Sequence, residues 1–184
     1  MGAFVTGLAA AVFLAWMPTA HTPRPPVALS TPSYDKMAAA LTTLYPGSRD
    51  HAKTIVRVVH EEADRHRLDP CLVMGIIAKE SSFRPHARSG RDVGLMQVNL
   101  DWHPELVSRA GGVDGMLDAR RNVRAGTEIF ARYRRLAADD RDALRRYNGL
   151  GKRNDYVQRV QAQARSLQSA GACLGDDDGR YAAG

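Results

Sequence analysis

Apolar positions recur with helical period along most of the chain. Ile55, Val58 and Val59, extended by Ala52 and Ala63, give one apolar face over Asp50 to His66. Asp50 reads as its N-cap, and Leu68-Asp69-Pro70 breaks it. Asp69 then caps a second helix with Pro70 at its first position, running from Cys71 to Glu80 or Ser81. Within it Val73, Ile76 and Ile77 form a stripe at i, i+3 and i+4, and the i+7 position is Glu80. A carboxyl on a core-facing stripe loses water, which disfavours its charged form and suits it to act as a general acid. The competing reading is a helix-end glutamate that reaches solvent.

From Phe83 to about His103 the helical period is lost. Arg84-Pro85, Ser89-Gly90 and Val93-Gly94 are turn signals, and Leu95 to Val98 reads as one short strand. A second helix group begins after Gly111-Gly112. It has a long basic helix over Asp118 to Leu136, a short one over Asp142 to Tyr147, a loop at Asn148-Gly149 and Gly151, and a last helix over Tyr156 to Leu167. The predicted fold class is mainly α, with a small irregular or β-containing insert after Glu80.

The ends differ in composition from this block. Gly2 to Met17 is uncharged and apolar apart from Thr6, and Pro18-Thr19-Ala20 offers a small residue for cleavage. Residues 1–20 therefore read as an export signal, with an uncleaved membrane anchor as the alternative. No Lys or Arg precedes the apolar run. Residues 21–33 hold Pro23, Pro25, Pro26 and Pro32 and read as a stiff linker. One folded domain is expected over 34–170, followed by a C-terminal tail over 171–184 with the acidic run Asp176-Asp177-Asp178. Export to an oxidising compartment gives Cys71 and Cys173 a meaning as a disulfide, a buried cysteine and a free one being the alternative.

The 184 residues carry a net charge of +6, and residues 120–170 hold 13 Lys/Arg against 5 Asp/Glu. That basic half suits an anionic polymer or a solvated helix face. Nothing resembling a nucleic-acid-binding signature accompanies the arginines. The six histidines form no HExxH pattern and the cysteines no CxxC, so no metal site is expected.

Four motifs change the picture. Glu80-Ser81-Ser82-Phe83-Arg84-Pro85-His86-Ala87-Arg88-Ser89 fits E-S-x-F-x-P-x-A-x-S. Gly94-Leu95-Met96-Gln97 follows, then Tyr147-Asn148-Gly149, then Tyr156 with Val160. In this order they resemble the catalytic domain of the soluble lytic transglycosylases, lysozyme-like enzymes that cut bacterial peptidoglycan. Leu68-Asp69-Pro70 and Asn122-Val123-Arg124-Ala125-Gly126 agree, and the resemblance spans roughly residues 50–165. The chain departs from the family at Tyr147-Asn148-Gly149-Leu150-Gly151, where the final glycine stands one position later than usual. The stretch from Asp92 to Asn99, with Trp102, looks most like small members attached to secretion and conjugation machines, which open the wall locally.

The resemblance implies an α+β lysozyme-like fold, no cofactor, and a monomer acting on peptidoglycan glycan strands in the periplasm or elsewhere outside the cytoplasm. Glu80 would be the sole acid and base. Ser89 would sit near Glu80 or the substrate N-acetyl group. Gly94 would allow a sharp bend or close approach, and Met96 and Gln97 would line the sugar groove. Tyr147 would reach Glu80 with its phenol, Asn148 would bond a sugar, and Tyr156 would pack beneath the site with its hydroxyl toward the groove. Phe83 reads as a core anchor, while Trp102 reads as exposed and suited to stacking on a sugar. Asp92 and Asp101 are candidate second carboxylates, and such a pair would make the enzyme a muramidase that hydrolyses the same bond. A third possibility is a glycan-binding assembly protein without activity.

Overall fold

In the computed structural model the described residues are 33–150 and 155–173. The expected export signal, most of the linker and the acidic tail lie outside them. Eight α-helices and three two-residue strands make up the described fold. Among the described residues no helix is long and apolar enough to cross a membrane.

Helix α3 (Pro70–Ser81) is the central element. Asp69 accepts a hydrogen bond from the Cys71 N–H at 2.7 Å, and Pro70 occupies the first turn. Every residue from Pro70 to Ala78 is buried. The helix ends in two left-handed residues, Ser82 (φ 51°) and Phe83 (φ 60°). A bulky side chain at positive φ is strained. Here the Phe83 ring is fully buried, with its centroid 4.7 Å from that of Tyr45. Packing therefore holds the turn that follows Glu80.

Helix α8 (Asp155–Ser169) lies against α3. Gly75 marks their closest approach, because a Cβ there would meet the Val160 carbonyl oxygen at 2.6 Å. Cys71 and Cys173 form a disulfide that ties the start of α3 to the chain just beyond α8. Two further helices, α1 (Tyr34–Leu44) and α2 (Ala52–His66), complete this side. The sequence reading overlooked α1, whose N-terminal Ser33 makes no side-chain cap. It also started α2 too early: Asp50 lies in a turn, and His51 stands at the cap position without a side-chain bond.

On the other side the chain forms an antiparallel sheet from β1 (Arg88–Ser89), β2 (Asp92–Val93) and β3 (Val98–Asn99). Arg88 faces Val93, Ser89 faces Asp92, and Asp92 and Val93 face Asn99 and Val98. The single strand expected over Leu95 to Val98 is corrected, since 94–97 is the turn between β2 and β3. Then come α4 (Pro104–Ala110), the single turn α5 (Gly112–Gly115), α6 (Ala119–Leu136) and α7 (Asp140–Tyr147). Helix α4 begins before the predicted helix group. Asp118 and Asp139 cap α6 and α7 by accepting from the N–H groups of Arg121 and Asp142.

Two apolar clusters result. The larger joins α1, α2, α3 and α8 with Phe83, Leu95, Met96 and Phe130. The smaller joins Val93 and Val98 of the sheet to Leu106, Ala110, Met116, Ala125 and Ile129. Tyr147 packs against both.

Candidate active site

Glu80 sits in the last turn of α3, half-buried, at the edge of a cleft of about 220 Å3. Its Oε1 accepts a hydrogen bond from the Tyr156 hydroxyl at 2.6 Å. Tyr156 is 4% exposed on α8, and the Lys79 ammonium lies 5.4 Å from its ring centroid. Burial, and then the neighbouring charge of Glu80, push the Tyr156 phenol well above its ordinary pKa. It therefore remains a neutral donor across the physiological range.

Tyr147 behaves differently from the sequence expectation. Its hydroxyl donates to the Met96 carbonyl at 2.8 Å, while Tyr156 holds the direct bond to Glu80. Tyr147 nevertheless lines the same cleft. Burial first, then the charge of Glu80, raise its phenol well above the usual value. The edges of Phe130 and Tyr133 pack on its ring.

The opposite wall hangs on a residue whose role the sequence left open. Asn122 is fully buried on α6. Its Oδ1 accepts from the Met96 N–H at 2.8 Å, and its Nδ2 donates to the carbonyls of Val93 (2.9 Å) and Met116 (2.8 Å). Both amide donors are thus used. Gly94 has φ 80°, and a Cβ there would lie 2.1 Å from Asn122 Nδ2. The close approach at Gly94 is made by this amide. Met96 was expected to line the groove, but its side chain is fully buried. It packs on Gly126, where a Cβ would come within 2.5 Å of it.

Gln97 does line the cleft. It takes a left-handed backbone, φ 48°, and its Nε2 donates to the carbonyls of Gly94 (2.8 Å) and Ala87 (3.2 Å). Asn148, just past α7, lines the cleft as well. Ser89 is exposed on β1 and stands apart from the residues that line the cleft. Trp102 is 65% exposed on the rim, its backbone N–H donating to Asn99 Oδ1 at 3.1 Å, whereas Phe83 is fully buried.

The two candidate carboxylates separate. Asp101 is held outside by both nitrogens of a fork from Arg91, which keeps its carboxyl below the usual range. Asp92 shares the cleft with Glu80 and accepts from Asn99 Nδ2 at 2.7 Å. Sequence reasoning passed over His103, Ile129 and Tyr133, which also line the cleft. Ile129 and Tyr133 stand at i and i+4 on the apolar face of α6, a spacing visible in the sequence. His103 carried no local signal; burial holds its pKa below the ordinary value. Among the described residues no group of three His, Cys, Asp or Glu could hold a metal ion.

The chemistry available is a carboxyl at the end of a rigid buried helix, oriented by a neutral phenol, facing a polar groove with an aromatic rim. Residues 57–169 match the family model described as the transglycosylase SLT domain. The chain belongs to that family and is a peptidoglycan lytic transglycosylase, a lyase on polysaccharide that acts outside the cytoplasm, where its substrate lies.

Proposed function

We propose that the protein cleaves the β-1,4 bond between N-acetylmuramic acid and N-acetylglucosamine without water, with Glu80 as acid and then base. Protonated Glu80 gives its proton to the glycosidic oxygen as the bond to the anomeric carbon breaks. The sugar's N-acetyl oxygen bonds to that carbon in its place. The Glu80 carboxylate then removes the proton of the C6 hydroxyl. That oxygen attacks the anomeric carbon, displaces the N-acetyl oxygen and closes a 1,6-anhydro ring. Glu80 ends protonated, as it began, and no second carboxylate is required.

The observation that carries this reading is the Tyr156–Glu80 hydrogen bond at the mouth of the cleft. It fixes one carboxyl oxygen in place, and a misplacement of about 1 Å in a reacting group can cost about a hundredfold in rate. Gln97 and Asn148 supply polar contacts for N-acetyl and hydroxyl groups, and Trp102 an aromatic face for a sugar ring. Tyr147 and Gly94 shape the site through Met96 and Asn122.

A second reading follows from Asp92. It lies in the same cleft, where a second carboxylate could activate water for hydrolysis of the same bond. Mass spectrometry of fragments released from purified peptidoglycan by the protein and by Glu80→Gln separates the two. Anhydro-ended fragments from the unaltered protein alone are expected. Reducing ends would favour the hydrolase, and no fragments from either would favour glycan binding without cleavage.

The apolar run at 1–20 is read as an export signal delivering the enzyme to the periplasm or its equivalent. The motif from Asp92 to Asn99 points to local opening of the wall for a secretion or conjugation apparatus.

A further inference from the structure

A second depression, of about 550 Å3, lies between α4 and the first half of α6. Arg109, Arg121 and Arg124 line it together with one carboxylate, Glu128. Glu128 is already neutralised, accepting from Arg109 at 2.9 Å and from Arg132 at 2.6 Å. Arg109 and Glu128 thus offset each other within the depression, and Arg121 and Arg124 leave it cationic.

Its arginines are anchored in advance. Arg121 donates from Nη1 to the Ala110 carbonyl at 2.8 Å, and Arg124 from Nε to the buried Glu62 at 3.0 Å. A guanidinium has five donors, so one anchored nitrogen leaves others for a ligand. Holding the fork in place lowers the entropy lost when an anion binds. The Arg109 and Arg124 side chains are 60% and 50% exposed. Leu106, Ala110 and Ala125 supply an apolar lining, which strengthens the field of the cations.

Position gives the depression its meaning. Ile129 and Tyr133 of α6 line the catalytic cleft, whereas Arg121 to Glu128 of the same helix line the second depression. Arg121 and Tyr133 are twelve residues apart, about 18 Å along the helix. Glu128 and Ile129 are consecutive on this helix, one lining each site. A polymer that extends from the catalytic cleft along this helix would bring its side branches to the arginines.

We propose that this basic depression binds the carboxylate groups of peptidoglycan peptide stems while their glycan lies in the catalytic cleft. The idea rests on the reading of the Glu80 cleft as a glycan site. Carboxylates fit because the guanidinium fork matches their geometry. Stems fit because the sugars beside them are uncharged.

Binding is measured without turnover, in a Glu80→Gln background, by co-sedimentation with purified sacculi. Two substrates are compared: intact sacculi, and sacculi whose peptide carboxylates are capped as methylamides. Arg109→Gln combined with Arg121→Gln should bind intact sacculi about fivefold more weakly at low salt, the upper end for an exposed ion pair. The difference should shrink as salt is added. On capped sacculi the two proteins should bind equally. Equal binding to intact sacculi, or the same loss on capped sacculi, overturns the proposal. Arg109→Gln alone, which removes only an exposed pair, carries the test should the double variant melt early. Since the assay needs no cleavage, failure of the Glu80 chemistry would show separately, as an absence of released fragments from the unaltered protein.

Discussion

The two cores flanking the catalytic cleft are held together by different forces. The larger core is built from helices whose faces interlock, with α3 and α8 in contact across Gly75 and joined by the Cys71–Cys173 disulfide. It carries Glu80 and Tyr156. The smaller core has few apolar residues, a sheet of two-residue strands, and the Asn122 amide threading three backbone groups together. It carries the opposite wall, with Asp92, Gln97 and Trp102. The acid thus sits on the covalently closed side, and the wall that meets the polymer sits on the side with less buried surface. Regions with few buried apolar contacts open at lower free energy. A site that must admit a long strand benefits from placing its looser half opposite its reactive group.

Removing the disulfide should blur this contrast most. Cys71→Ser with Cys173→Ser should lower stability by about 2–5 kcal/mol. Denaturant unfolding followed by circular dichroism checks it, with the midpoint moving down. Breaking the other side calls for Asn122→Leu, which strands the Met96 N–H and the Val93 and Met116 carbonyls. The expected loss is about 2–4 kcal/mol. Hydrogen exchange should place the new opening in 93–98, with α3 and α8 still protected.

Tyr156→Phe tests the acid's orientation with little cost to the fold. A hydrogen bond contributes about 0.5–1.5 kcal/mol, so kcat/KM on peptidoglycan should fall by up to about tenfold while the melting temperature drops by only a few degrees.

The smallest effect concerns pH. A hydrogen bond from Arg132 holds Glu105 below its ordinary pKa. Burial pushes Glu128 up, but bonds from Arg109 and Arg132 together outweigh it and leave it lowered too. A carboxylate whose pKa is depressed on folding adds stability above its unfolded pKa, about 4.3, and loses it as the pH falls through the folded value. The seam between α4 and α6 should therefore loosen below about pH 4. These pairs are largely exposed, so the loss should stay under about 1 kcal/mol. Thermal melts from pH 6 to pH 3, with Glu105→Gln as the control, check it.

The helical side was the more legible in the sequence. Apolar period marks α3 and α6, and the cap at Asp69 marks where α3 starts, because those signals are local. Helix α1 escaped because its buried stripe is short, Met37, Ala38 and Leu41 among alanines, and because no side chain caps it. The strands escaped because two residues cannot show an alternation. Glu80 stood out as a carboxyl on an aliphatic stripe. The Tyr156–Glu80 bond was invisible, since it depends on where α8 crosses α3. Met96 illustrates the same limit: sequence alone does not tell which face of a turn meets the core.

The central claim is that Glu80 works without water. The most direct measurement is digestion of peptidoglycan in water labelled with heavy oxygen, followed by mass spectrometry of the new chain ends. The account predicts anhydro ends carrying no label, and no new ends with Glu80→Gln. Label at a reducing end would contradict it and assign Asp92 the activation of water.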